Sequence, residues 1–599
     1  MNRQWSRHLY PQYSSASRIH YCVRVGSFIP SLLSFPAQDI LSPVSRFELR
    51  SSQISTVKLA VSIMAAVIIN EVLSTSGLVV VSTLVAMLFI RYYRTVRESV
   101  QLPLPPGPKK LPLLGNSLDM PSAFHWITFS KWAEQYDSDV LHLEIAGGNY
   151  IILNSYQAVT DLLEKRSSIY SSRPHATMLQ DLIGWDRDVL LMPYGEDFRA
   201  HRKLFQQEFH PNNSQLHRPH EKKALVVFLN KLVETPEEWL AHIKHMTGTI
   251  ILAVAYGIHV QSKDDPNIDA AEKMIAVLNT AGIPGAFLVD VFPILKYVPS
   301  WFPGASFKRK AQKWNGILGA TITPPFMKVK QAMANGTAED CFSLRCLQNT
   351  KNPDPRPDHL SKEEEIIKET VGTMYEGGAD TGITTLRTFL LAMMLFPHAQ
   401  REAQDELDRV IGKDRLPDYA DLDKDSLPYV CAVVYECLRW QPVVPLAFPH
   451  QLDADDTYKG YYIPKGSTIM PNVWAILRDE KTYGPNAHTF EPKRWLLKQG
   501  EGWKLNPDMR EPTTVAFGFG RRVCPGKHMG LSSFHINVAS LLHSFNVTPP
   551  IDEHGTPIIP KIEYISAVLN QPAPFQCSIK PRSEGHVAVV QQALLDLGY

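Results

Sequence analysis

The stretch Phe517-Gly-Phe-Gly-Arg-Arg-Val-Cys524-Pro-Gly526 decides how the chain is read. Glycines on both sides of the cysteine let the backbone approach a flat ligand closely and leave amide N–H groups free to face a sulfur. A thiolate held just before a helix N-terminus at Pro525 to Lys527 would have its pKa lowered and could ligate a metal. A lone cysteine is ordinarily a small buried hydrophobe. The glycine frame argues against that here.

Upstream, Glu436-Cys-Leu-Arg439 places an acid and a base three residues apart, hence on one helical face, where Arg494 could complete a multidentate ion cluster. Most such pairs elsewhere are solvated surface pairs. Farther back, Gly377 and Gly378 interrupt a predicted helix from Lys362 to Leu395. Each costs about 1 kcal/mol relative to Ala, and a local opening of the helix would explain them.

The 599 residues are 44% hydrophobic and 20% charged, a globular composition that excludes disorder and low-complexity architecture. Lys and Arg number 61 against 60 Asp and Glu. A net charge of +1 gives no electrostatic case for nucleic acid. Seven cysteines at irregular spacing, with no CxxC pair, are neither a disulfide framework nor a zinc site, and a reducing compartment fits them.

The uncharged run Val72 to Ile90 would span about 28 Å as a helix. Arg91, Tyr92, Tyr93, Arg94 and Arg97 follow it as aromatic belt and positive flank, so a single-pass anchor with a cytosolic body is expected. Residues 1–63 are rich in Arg and Ser and poor in acids, as in a mitochondrial transit peptide. Met64, however, opens an ordinary signal-anchor by itself, which favours the endoplasmic reticulum over mitochondria. The expected organisation is an extension at 1–63, anchor at 64–97, proline-rich hinge at 98–116, catalytic domain at 117–582 and tail at 583–599.

Within the body, Leu141 to Ile145 and Tyr150 to Leu153 read as a hairpin. Helices are expected over 122–136, 197–208, 221–233, 237–256, 270–280, 305–333, 362–395 and 527–545. Thr235 with Glu238 and Ser361 with Glu364 have the spacing of capping boxes. The fold class is mainly α with a minor β portion.

The cysteine stretch resembles the F-x-x-G-x-R-x-C-x-G haem-binding signature of cytochromes P450 at Phe517, Gly520, Arg522, Cys524 and Gly526, without departure. Four further segments resemble that family's motifs in order: LPPGP at 104–108, GGADT at 377–381, Glu436 to Arg439, and Phe490-Glu-Pro-Lys-Arg494-Trp. The resemblance implies the cytochrome P450 fold behind an N-terminal transmembrane helix and haem b with Cys524 as axial thiolate. It further implies proton delivery by Asp380 and Thr381, propionate contacts from Arg202, Arg522 and His450, and a fold-supporting cluster of Glu436, Arg439 and Arg494. Phe198 stands where the family has a propionate-binding Trp, and Gly382 where it often has Thr or Ser.

The implied activity is monooxygenation of an apolar small molecule, a fungal secondary metabolite or xenobiotic aromatic. Electrons would come from NADPH-cytochrome P450 reductase, with cytochrome b5 as an optional second donor. Details such as LLEKRSSIYSSRP are similar to fungal microsomal members related to O-methylsterigmatocystin oxidoreductase. A P450-fold isomerase without reductase and a non-catalytic haem protein are the rival classes.

Overall fold

Between Glu196 and Leu395 apolar residues recur at three- and four-residue spacing, and there the chain winds helix after helix. The computed structural model describes residues 102–598 apart from 113, 262–264, 284 and 501, together with 82 and 86. The expected anchor and the 1–63 extension lie outside these residues except at 82 and 86. Among the described residues no helix is long and apolar enough to cross a membrane.

The elements that position the site are α1 His125–Gln135, the hairpin β1 Val140–Ile145 and β2 Gly148–Leu153, α2 Glu196–Glu208, α3 Arg218–Glu234, α4 Trp239–Tyr256, α5 Pro266–Ala281, α6 Ser306–Ala334, α7 Lys362–Leu395, α8 Pro397–Val410 and α9 Pro428–Trp440. Then come β3 His450–Gln451, β4 Thr468–Pro471, α10 Lys527–Ser544, β5 Phe545–Thr548, β6 Tyr564–Ile565, β7 Gln571–Pro572, β8 Ser578–Pro581 and α11 Glu584–Asp596. The main sheet runs β1-β2-β4-β3, with β2 and β4 parallel and the other pairs antiparallel. The result is mainly helical with a small β portion, as expected.

The long helix α7 is the axis of the core. Ser361 caps it as anticipated: its hydroxyl accepts from Glu364 N at 3.3 Å, and Glu364 Oε2 accepts from Ser361 N at 2.7 Å. The other capping box does not form. Thr235 turns its hydroxyl to within 2.8 Å of His242 Nε2, Pro236–Glu238 make a 3₁₀ turn, and α4 starts only at Trp239. Nor does α7 open at its glycines, because it is continuous α-helix through them. A Cβ at Gly378 would stand 2.4 Å from Ile251 Cδ1, so that glycine lets α4 cross α7 closely.

The segment 583–599, expected as a tail, contains α11. Ser583 caps it by accepting from His586 N, and Asn230 Nδ2 on α3 donates to the Val590 carbonyl at 3.0 Å. Arg582 fixes its base by a two-point ion pair with Asp408 at 2.7 Å.

Glu436 and Arg439 are completely buried on α9. Arg439 donates to both Glu436 oxygens at 2.8 and 2.7 Å, and Arg494 Nε donates to Oε1 at 3.0 Å. Trp495 Nε1 at 2.9 Å and Glu491 N at 2.8 Å complete the shell. Burial alone would push this carboxyl up, but Arg439 and Arg494 outweigh it and hold Glu436 below its usual value. Replacing Glu436 by Gln keeps the shape and strands two buried guanidiniums. Stability should fall by about 3–5 kcal/mol, read as a lower urea midpoint at constant slope. A loss below about 1 kcal/mol would mean the pair behaves like a solvent-screened one.

Candidate functional site

The cysteine loop has its shape because one position tolerates only glycine. Gly520 has φ +56°, and a Cβ there would stand 2.0 Å from the Leu163 carbonyl oxygen. Cys524 N donates to the Phe517 carbonyl at 2.8 Å, closing the loop, and the Gly526 N–H faces the sulfur just before α10 begins. Cys524 retains free surface although protein desolvates its thiol on every side. A sulfur facing an internal space would account for both. Burial pushes the thiol up, and the Gly526 N–H, Arg202 and Lys527 oppose this without reversing it. The lowered pKa expected from the helix N-terminus is therefore not reached by the protein alone, because desolvation is the larger effect.

Cations gather beside this loop. Arg522 donates to the carbonyls of Ser171 at 2.7 Å, Val189 at 3.0 Å and Met192 at 2.6 Å, and its guanidinium lies 3.7 Å from the Phe198 ring centroid. The residue that replaces the family's Trp thus stacks on a cation instead of donating a hydrogen bond. Arg202 feels the Cys524 thiol and has no hydrogen-bond partner among the described residues. His450 is buried, and its Nδ1 lies 2.6 Å from the Tyr170 carbonyl, so that nitrogen carries the proton and Nε2 has no hydrogen-bond partner among the described residues. Burial, then Arg173 and Arg522, hold its pKa well below the usual value.

Arg173 was not anticipated. It donates to the Leu190, Phe448 and Pro449 carbonyls at 2.9, 2.8 and 2.8 Å, next to Arg522. Burial lowers Arg522 to about 8 with Arg173 and Arg202 adding to it, and burial lowers Arg173 to about 9. Only Tyr194 and Asp453 oppose the shift at Arg522. Three guanidiniums share a desolvated corner, and none forms an ion pair with a carboxylate among the described residues, an arrangement that calls for an anion. The two carboxylates of a haem would fit this corner in charge.

On α7, Thr381 Oγ1 donates to the Gly377 carbonyl at 2.9 Å, and nothing lies within 4 Å of a Cβ built on Gly377. Asp380 Oδ2 accepts from Gln571 Nε2, and burial raises this carboxyl to about 6 against the pull of Arg387 and Lys244. One turn earlier lies a pair that sequence reasoning missed. Glu376 Oε2 accepts from Trp185 Nε1 at 3.2 Å, while Asp188 accepts from Leu190 N at 2.6 Å and Thr373 Oγ1 at 3.0 Å. The two buried carboxyls face each other, and both pKa values are raised, first by burial. A proton between them would tie the loop carrying Trp185 to the long helix. The acid directly before Gly377 was the available signal, but its partner is 188 positions away from it only by subtraction from the fold, not by any local pattern.

The cytochrome P450 family model matches residues 105–579. The chain is 42% identical to cytochrome P450 monooxygenase 208 of Postia placenta over 501 residues, covering 84% of this chain and 94% of the relative. It is 40% identical to the tryptamine 4-monooxygenase of Psilocybe cyanescens, covering 82% and 96%. It is 39% identical to cytochrome P450 monooxygenase ple1 of Rhodocybe pseudopiperita, covering 84% and 95%.

The Asp188 and Glu376 pair makes a pH-dependent contribution with a definite sign. Glu376 has a raised folded pKa, so its stabilisation is complete below the unfolded value of about 4.3 and is lost as pH rises toward the folded value. Glu376→Gln mimics the neutral form. Its melting temperature should exceed that of the wild type by a margin that grows as pH rises above the unfolded value of about 4.3. A constant difference between the two across that range would show that no proton is shared.

Proposed function

Because this chain belongs to the cytochrome P450 family and is a haem-thiolate monooxygenase acting on a small molecule, we propose that Cys524 is the ligand of its haem iron. Arg202, Arg522 and His450 take the propionates, and Phe517, Gly520 and Gly526 shape the loop against the ring. The haem, when bound, supplies the oxygen-activating chemistry. The observation that carries this assignment is the accessible Cys524, in a glycine-framed loop, beside Arg202 and Arg522, which form no ion pair with a carboxylate among the described residues. A propionate there would also favour the protonated form of His450 and give its Nε2 a proton to donate.

Asp380 and Thr381 deliver protons during oxygen activation. The raised carboxyl of Asp380 supports this, since a group near pH 6 both gains and loses a proton readily. The substrate is an apolar fungal secondary metabolite or xenobiotic aromatic, oxidised by an enzyme of the O-methylsterigmatocystin oxidoreductase-related group. One relative is named for its action on tryptamine, itself a small aromatic molecule.

Members of this family need a redox partner. NADPH-cytochrome P450 reductase, and cytochrome b5 as second donor, dock outside the cysteine loop. There Arg199 and Arg521 lie 5.8 and 5.1 Å from the Tyr194 ring centroid, and Arg521 and Lys527 line a cleft of about 440 Å³ with Tyr156 and Gly518. The enzyme sits on the endoplasmic reticulum membrane with its catalytic body in the cytosol. Support comes from the segment 289–304, where Ile294 is 72%, Trp301 77% and Phe302 49% exposed. An internal lid would bury these side chains, whereas a bilayer would receive them.

Cys524→Ser and the wild type, each reduced under carbon monoxide, test the ligand assignment. The wild type should show the red-shifted Soret band of a thiolate-bound haem and the variant should lose both that band and turnover. Its retention in the variant would transfer the ligand role elsewhere. For the membrane contact, protein beginning at residue 102 is mixed with liposomes, alone and as the Trp301→Ser, Phe302→Ser double variant. Binding should drop in the variant, and equal binding would reject the contact.

A further inference from the structure

Asp380 is held from outside its own helix. The return strand β7 of the β6–β7 hairpin carries Gln571, whose Nε2 donates to Asp380 Oδ2. The next residue, Pro572, accepts from Arg387 Nη2 on α7 at 2.6 Å, so two consecutive residues of β7 engage the two charged groups of this stretch of helix. The hairpin tip is tied to three other places. Ser566 Oγ accepts from Phe124 N at 2.8 Å, Leu569 N donates to Asn279 Oδ1 on α5 at 3.3 Å, and Asn570 N donates to the Val443 carbonyl at 2.8 Å. Gln571 is therefore presented to Asp380 by a fixed piece of backbone.

We propose that Gln571 is a positioning residue for the oxygenation reaction: by donating to one oxygen of Asp380 it fixes that carboxyl's orientation and sets how readily it takes up and passes on a proton. This rests on the assignment of proton delivery to Asp380 made above. The charged groups around Asp380 are Arg387 on α7, Lys244 on α4 and Glu272 on α5, and the last two pair with each other at 2.9 Å. Arg387 and Lys244 favour the carboxylate, Glu272 opposes it, and the Gln571 N–H favours it. Asp380 Oδ1 has no hydrogen-bond partner among the described residues, which leaves it as the oxygen that exchanges the proton. The proton comes from bulk water and no electron moves through the pair. Because the hairpin tip is bonded to α5 and to the segment after α9, displacement of either reaches Gln571 and alters the hold on Asp380.

The test uses the full-length holoenzyme with its reductase, as wild type, Gln571→Leu, Asp380→Asn and the double variant. The thiolate-type carbon monoxide spectrum verifies the folded state of each. Leu cannot donate, so the pH midpoint of kcat governed by Asp380 should rise by about one unit, product formed per NADPH should fall, and KM should stay unchanged. In the Asp380→Asn background, Gln571→Leu should add nothing. If the Leu variant fails to bind haem, Gln571→Asn, which keeps the amide but withdraws it by one methylene, replaces it with the same expectations. An unmoved midpoint, or effects that multiply in the double variant, would overturn the positioning role while leaving Asp380 in place. Wild-type coupling and pH dependence in Asp380→Asn would remove both assignments together.

Discussion

A single buried carboxylate organises the proximal half of the molecule. Glu436 collects five hydrogen bonds from Arg439, Arg494, Trp495 and the Glu491 amide. The remaining guanidinium N–H groups of Arg439 and Arg494 go to carbonyls of Leu477, Tyr483, Asn486, Ala487 and Thr489. A charged acid in a dry interior is tolerable only when paired and fully hydrogen-bonded. Satisfying it therefore fixes the irregular chain from 477 to 495 on the end of α9. That chain has little regular structure of its own, so the cluster is what holds it in place.

Local signals were legible wherever a residue acts on its own neighbours. Ser361 and Glu364 predicted the start of α7 because a capping box is complete within four residues. The same pattern at Thr235 failed because His242, one helical turn and more away, competes for the hydroxyl and the carbonyl. Gly377 and Gly378 were expected to open the helix and do not; for Gly378 the reason is a tertiary one, the close passage of Ile251 on α4, and at Gly377 nothing lies within 4 Å of an added Cβ. Helix α11 had the signals of a helix, with Ser583 ahead of an uninterrupted apolar and amide-rich run. Its stability nevertheless comes from docking on α3 and α8 through Asn230 and Asp408, which sequence spacing does not reveal.

The site itself divides along the same line. Cys524, Arg522, Gly520 and Gly526 sit within a few residues of one another and were visible as a motif. Arg173 belongs to the same corner, but three carbonyls from residues 190, 448 and 449 bring it there. Asp188 and Glu376 likewise meet only because a loop folds onto the long helix. Buried charge pairs of this kind are assembled by topology, and a sequence carries no short-range mark of them.

Three separate electrostatic costs converge on one internal space. Burial pushes the Cys524 thiol up, the Arg522 guanidinium is repelled by Arg173 and Arg202 with Asp453 opposing them, and burial holds His450 well below its usual value. Each is unfavourable to a protein that has only itself to satisfy them. In the proposed assignment each would be relieved by one group: Cys524 would hold the haem iron as a thiolate, and Arg202, Arg522 and His450 would hold its two carboxylates. The selectivity of the pocket then lies in the coincidence of the three, since an anion alone would leave the thiol unmet and a metal ion alone would deepen the positive charge. On that assignment cofactor binding and fold stability would be one equilibrium, joined at the corner of Arg173, Arg202 and Arg522.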